Sequence, residues 1–99
     1  MESGEEITVE RFEVRGRVQG VGFRYWTLRT ARSLGVRGTV RNRPDGAVEV
    51  TAAGERQALL ALRDALAEGP PGAHVTDVRR LDETAPAEVE LGDRFEIIR

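Results

Sequence analysis

Cysteine is absent from the sequence, which removes disulfides, thiolate metal sites and cysteine nucleophiles together. Lysine is absent too: all 15 basic residues are arginine, so no side-chain amine is available to form a Schiff base or act as a base. Aromatic residues make up only 5% of the chain, and His74 is the single histidine. No apolar run is long enough for a membrane-spanning helix. The opening stretch, Met1-Glu2-Ser3-Gly4-Glu5-Glu6, has neither the basic start nor the apolar segment of a secretory signal. The resulting expectations are a cytoplasmic location and no membrane partner. A charge excess of one sign is also missing. The net charge of −2 speaks against nucleic acid as a partner.

What is present reads as one domain of 99 residues. Residues 1–7 are expected as a flexible tail and residues 8–99 as the folded unit. Phe12, Val14, Gly16 and Val18 alternate with Arg11, Glu13, Arg15 and Arg17, which is the period of a half-buried strand. From Phe23 the period changes, and Phe23, Thr27, Ala31 and Leu34 form a helical stripe ending at Gly35. A second strand follows with Val36, Gly38, Val40 and Asn42 on one face. Arg43-Pro44-Asp45-Gly46 is a turn signal, and Val48, Val50 and Ala52 mark the returning strand. Residues 55–68 carry Ala58, Leu59, Leu62, Ala65 and Leu66 on one helical side, with Gly69-Pro70 as terminator. Residues 75–81 read as a strand whose imperfect alternation implies a bulge. A polar loop over 82–92 leads to a short strand at 95–98. The order β-α-β-β-α-β with one extra strand is the α+β, ferredoxin-like two-layer sandwich. It predicts one antiparallel sheet with both helices on one face. The other face, with Arg11, Glu13, Arg15, Arg37, Arg41, Glu49 and Thr51, is expected to meet water.

This topology predicts a site. The first two strands run parallel with the third between them, so residues 17–23 and Asn42 lie at one sheet edge, about 10 Å apart. Gly20 and Gly22 let a ligand approach the main chain, and successive amides in such a loop cradle an anion. The helix N-terminus adds unpaired N–H donors, and Arg24 in the first turn adds a planar fork for phosphate oxygens. On loop chemistry alone, a tight strand-to-helix turn with a solvated Arg24 remains the alternative. His74 reads as a surface or structural residue, and Asp45 as part of its turn. Glu49 and Asp64 lack partners at metal-ligand spacing, so no metal is expected.

Residues 16–24, Gly-Arg-Val-Gln-Gly-Val-Gly-Phe-Arg, resemble the acylphosphatase signature G-x-V-Q-G-V-x-F-R. Residues 38–49, Gly-Thr-Val-Arg-Asn-Arg-Pro-Asp-Gly-Ala-Val-Glu, are similar to its second signature, in which tryptophan usually stands where this chain has Thr39. Residues 69–75 and 95–97 are similar to later segments of the family, so the resemblance spans about residues 9–99. It implies the same fold and the metal-independent, cofactor-free hydrolysis of acyl phosphates to a carboxylate and inorganic phosphate. It implies Arg24 as the phosphate-binding arginine, Asn42 as the water-orienting asparagine, and Gln19, Gly20, Val21, Gly22 and Phe23 as the phosphate-binding loop. Trp26 stands where the family often has an aromatic residue, expected to serve packing. Thr39 faces away from Asn42, so its effect is expected on stability more than on chemistry.

An acyl phosphate is already activated by its carboxylate leaving group, and positioning plus charge stabilisation dominate phosphoryl transfer. Neither a guanidinium nor an amide changes charge near neutrality, so a broad pH profile is expected. The expected partners are a small-molecule acyl phosphate and, as competing anions, inorganic phosphate or sulfate; a monomer is expected. The alternatives are a non-catalytic ferredoxin-like module binding an anion or effector, and a domain serving carbamoyl transfer in a larger protein. Base stacking on the sheet finds no aromatic among the outward positions Arg11, Glu13 and Arg15.

Overall fold

In the computed structural model, period-two and helical patterns become seven elements: β1 Ile7–Arg17, α1 Phe23–Ser33, β2 Arg37–Asn42, β3 Val48–Glu55, α2 Arg56–Glu68, β4 His74–Leu81 and β5 Phe95–Ile97. The structure describes residues 7–81 and 92–99. The strand expected from residue 11 begins at Ile7. The rest of the expected tail, 1–6, and most of the expected 82–92 loop lie outside the described residues.

The sheet order is β4-β1-β3-β2-β5. β3 lies between β1 and β2 and is antiparallel to both, with Val14 opposite Val48 and Asn42 also opposite Val48. This is the split βαβ arrangement, and it brings the ends of β1 and β2 to the same edge. The expected bulge is present where β1 pairs β4: Arg15 faces Asp77 and Gly16 faces Val75, leaving Thr76 as the extra residue. One expectation is corrected. The sheet is mixed, not purely antiparallel, because β5 runs parallel to β2, with Gly38 opposite Phe95. Arg32, in the last turn of α1, donates twice to the Phe95 carbonyl, and Ile98 N–H donates to Val40 O, so β5 is held from both sides.

The inward faces meet the helices as the alternation requires. Phe12, Val14, Val40, Val48 and Val50 pack against Phe23 and Ala31 of α1 and Leu59, Leu62 and Leu66 of α2. Helix α1 ends in a Schellman motif, with Val36 N–H on Ala31 O and Gly35 N–H on Arg32 O. Trp26 packs edge-to-face on Phe23, with ring centroids 5.3 Å apart, a packing role as expected.

The second face departs from expectation more deeply. Glu13 and Glu49, expected to meet water, are each only 5% exposed, and Thr51 is buried as well. Glu13 and Glu49 stand opposite each other on β1 and β3, where like charges repel. Arginines offset this. Arg11 and Arg41 reach Glu49 at 2.8 and 2.9 Å, and Arg15 and Arg79 reach Glu13 at 3.1 and 3.3 Å. These ion pairs stand in for water as the partners of the two buried carboxylates.

Candidate active site

Loop 18–22 leaves β1 and turns sharply into α1. Gly22 is the N-cap residue at φ 80°, and Gly20 has φ 77°. A Cβ at either would meet no neighbouring atom within 4 Å. Glycine is therefore suited here by the left-handed backbone, not by crowding. No side chain caps α1 and its first turn carries no acidic residue. Within the described residues, no backbone N–H from Gly20 to Tyr25 finds an acceptor in the protein. A run of free amides at the positive end of a helix is an anion site in waiting.

Beside it lies a cleft of about 360 Å³, lined by Val18, Gly20, Gly22, Phe23, Arg24, Tyr25, Asn42, Ile97 and Arg99. Arg24 and Asn42, eighteen positions apart in the chain, thus share one cavity. Gly20, Gly22 and Phe23 of the expected loop line it, whereas Gln19 and Val21 do not. Arg24 is half-buried and makes no ion pair with any carboxylate among the described residues. The Oδ1 of Asn42 is buried and accepts no hydrogen bond from the protein. A buried carbonyl oxygen without a donor costs free energy unless a ligand or water supplies one. Among the described residues no aspartate or glutamate side chain lines the cleft, and its charged side chains are those of Arg24 and Arg99.

Gln19 has a different position from the rest of its loop. Its Nε2 donates to Arg43 O and to Ala47 O, both at 2.9 Å. It therefore ties the anion loop to the β2–β3 turn immediately after Asn42. The turn is closed by Arg43 N–H on Ala47 O, Gly46 N–H on Arg43 O, and Ala47 N–H on Asp45 Oδ1. Arg15 pins it from the other side, 3.0 Å from Asp45. The Ala47 amide and the Arg15 guanidinium hold the Asp45 carboxyl below its ordinary range. Hydrogen bonding from Arg15 does the same for Glu13, against the opposing effect of burial. Asp45 is thus a turn and lattice residue, and His74 is exposed at the start of β4.

The motifs do not reveal Tyr25, Ile97 and Arg99 as cleft residues. Tyr25 carried a usable signal, a large aromatic following Arg24 off the core stripe. Ile97 and Arg99 carried none, because their place depends on β5 docking beside β2.

Comparison with known proteins identifies the family and the fold. The acylphosphatase family model matches residues 10–97. The chain is 50% identical over 86 residues to an acylphosphatase of Nitratidesulfovibrio vulgaris, covering 87% of this chain and 85% of that protein. It is 47% identical over 89 residues to an acylphosphatase of Nitrobacter hamburgensis, covering 88% and 90%. The crystal structure of an acylphosphatase from Bacillus subtilis superposes with a TM-score of 0.82 at 36% identity, covering 95% of this chain and all of that one. No helix among the described residues is long and apolar enough to cross a membrane.

Proposed function

The chain belongs to the acylphosphatase family and hydrolyses acyl phosphates, and from that premise we propose that Arg24 and the amides of residues 19–23 bind the phosphoryl group while Asn42 holds the attacking water. One observation carries the assignment: the buried Oδ1 of Asn42, the guanidinium of Arg24 and a run of backbone amides, all without a partner among the described residues, share one cleft. The phosphoryl oxygens receive charge-assisted hydrogen bonds from Arg24, each worth roughly 1.5–3 kcal/mol. Further hydrogen bonds come from the loop amides. Oδ1 of Asn42 accepts a hydrogen bond from water and orients its lone pair toward phosphorus. The water oxygen bonds to phosphorus as the bond to the acyl oxygen breaks. The carboxylate leaves with the electron pair, and the water's proton goes to a phosphate oxygen, giving dihydrogen phosphate. The leaving group needs no protonation, so no general acid is required.

Inorganic phosphate and sulfate, which present the same tetrahedral oxygens, compete for the cleft in this reading. The acting species is a cytoplasmic monomer whose folded unit, expected at 8–99, extends to Ile7 of β1; light scattering and limited proteolysis check the last two points. The roles separate by substitution. Arg24→Ala is expected to abolish turnover of benzoyl phosphate, in line with losses of about 10³–10⁵ for arginines on a transferring phosphoryl group. It should also weaken inhibition by phosphate. Asn42→Ala should lose turnover and keep phosphate inhibition, because its work is on the water. Near-normal turnover by either variant, measured without added metal, would refute its assignment.

A further inference from the structure

The phosphoryl group accounts for one part of the cleft, and the acyl part of the substrate must lie elsewhere. In an in-line displacement the leaving carboxylate departs on the side away from the attacking water. With water at Asn42, the acyl group points away from the end of β2. Tyr25, in the first turn of α1, lines the same cleft and is 59% exposed despite its size. Tyr25 also lines a second groove of about 410 Å³, together with Trp26, Arg29, Thr30 and Ser33. Cleft and groove therefore adjoin across one aromatic ring.

Arg29, one helical turn after Tyr25, lays its guanidinium over that ring, with Cζ 5.8 Å from the centroid. Helical side chains lean toward the N-terminus, so the guanidinium is carried toward the cleft. No hydrogen bond or ion pair among the described residues engages its N–H groups, which a planar or tetrahedral anion could accept from. Arginines of the sheet face such as Arg15 and Arg41 are held by carboxylates, but Arg29 pairs with no carboxylate among the described residues. Among the described residues neither lining contains an aspartate or glutamate, and the Ser33 hydroxyl donates to Thr30 O. The groove thus presents a cation that no carboxylate side chain among the described residues neutralises.

We propose that Arg29, stacked on Tyr25 at the rim of the cleft, binds a second anionic group on the acyl part of the substrate. Acyl phosphates with a charged acyl tail are then preferred over those with a neutral one. The proposal rests on the phosphoryl group sitting at Arg24 and deepens that reading by naming the substrate class. The anion can be a carboxylate or a phosphate, since both match the guanidinium edge.

The test compares 4-carboxybenzoyl phosphate with benzoyl phosphate, two rigid substrates that differ in one distal carboxylate. In Arg29→Gln the ratio of their kcat/KM values should fall about fivefold, the effect of one solvent-exposed charge contact. The loss should lie in KM for the carboxylated substrate, and in the unsubstituted protein the ratio should shrink as salt rises. Arg29→Lys should restore part of the ratio by keeping the charge, and Tyr25→Ala should lower it by removing the platform. A ratio unchanged in Arg29→Gln, or one that falls only in Arg99→Gln, overturns the proposal. Benzoyl phosphate turnover keeps the two readings apart. Its absence in the unsubstituted protein would sink the hydrolase assignment and this subsite with it. Its presence with a ratio indifferent to Arg29 would sink the subsite alone.

Discussion

Gln19 is the residue whose replacement best tests whether the site is assembled as the geometry says. Its carboxamide donates two partly buried hydrogen bonds, to Arg43 O and Ala47 O, across 24 and 28 positions of chain. A typical hydrogen bond contributes a net 0.5–1.5 kcal/mol, so the pair contributes about 1–3 kcal/mol. Arg43 O also accepts from Gly46 N–H, and Ala47 O from Arg43 N–H. Neither carbonyl is orphaned by Gln19→Ala, which places the loss near about 2 kcal/mol rather than at the top of that range. For a domain of this size that lowers Tm by about 8–16 °C. The same change frees the anion loop from the strand end that carries Asn42. Misplacement of reacting groups by about 1 Å costs up to ~10²-fold, so kcat/KM on benzoyl phosphate should fall roughly 10- to 100-fold. Gln19→Glu keeps the length of the side chain but sets a carboxylate against two carbonyls, so it should be worse than alanine on both counts. Urea and thermal unfolding by circular dichroism give the first number, and steady-state kinetics the second. A Gln19→Ala protein as stable and as active as the unsubstituted one would refute the staple. A protein destabilised but kinetically unchanged would show that loop placement does not depend on it.

Acid should weaken the fold through the lattice on the outer sheet face. Arg15 holds Glu13 below its ordinary 4.5, and the Ala47 amide with Arg15 holds Asp45 below its ordinary 3.8. A depressed folded-state pKa gives stability that is present above the unfolded value and lost as pH falls through the folded one. The urea midpoint should therefore drop as pH falls below about 4.5, and Arg15→Gln should flatten that drop; an equal drop in the variant would refute the link. Gly38→Ala should destabilise by about 1–3 kcal/mol or more, because Gly38 sits at φ 144° and an added Cβ would run into the Thr51 carbonyl of the neighbouring strand. A Tm within 2 °C of the original, on a scale of about 4–8 °C per kcal/mol, would contradict it. Thr39→Trp, on the face away from Asn42 and opposite Thr51, should add about 0.2–1 kcal/mol and leave kcat/KM within about twofold. A tenfold kinetic loss would place residue 39 in the chemistry after all.

Much of this architecture was legible in the sequence because two periods carry it. Alternation through Phe12 to Val18 and the stripe Phe23, Thr27, Ala31 each name an inward face, and Pro44-Asp45-Gly46 names the turn between β2 and β3. Topology alone then brings Arg24 and Asn42 to one edge. What pattern cannot convey is how long side chains are spent. Period two says that Glu13 and Glu49 face away from the helices, but not that arginines pair with them there. The donations of Gln19 link positions with no periodic relation. The place of β5 was hidden for a related reason: three residues after a polar connection announce a strand without saying which neighbour it joins or in which direction.

The cleft draws its walls from the β1–α1 loop, the first turn of α1, the end of β2 and the end of β5 with Arg99 beyond it, and Gln19 fastens the first of these to a turn more than twenty positions away. No peptide excised from the protein brings those pieces together. Contacts so distant along the chain close late and slowly, as in other sheet-rich topologies. Recovery of hydrolysis after dilution from denaturant is accordingly a clock for completed assembly of the sheet. It should lag behind the return of helical circular dichroism.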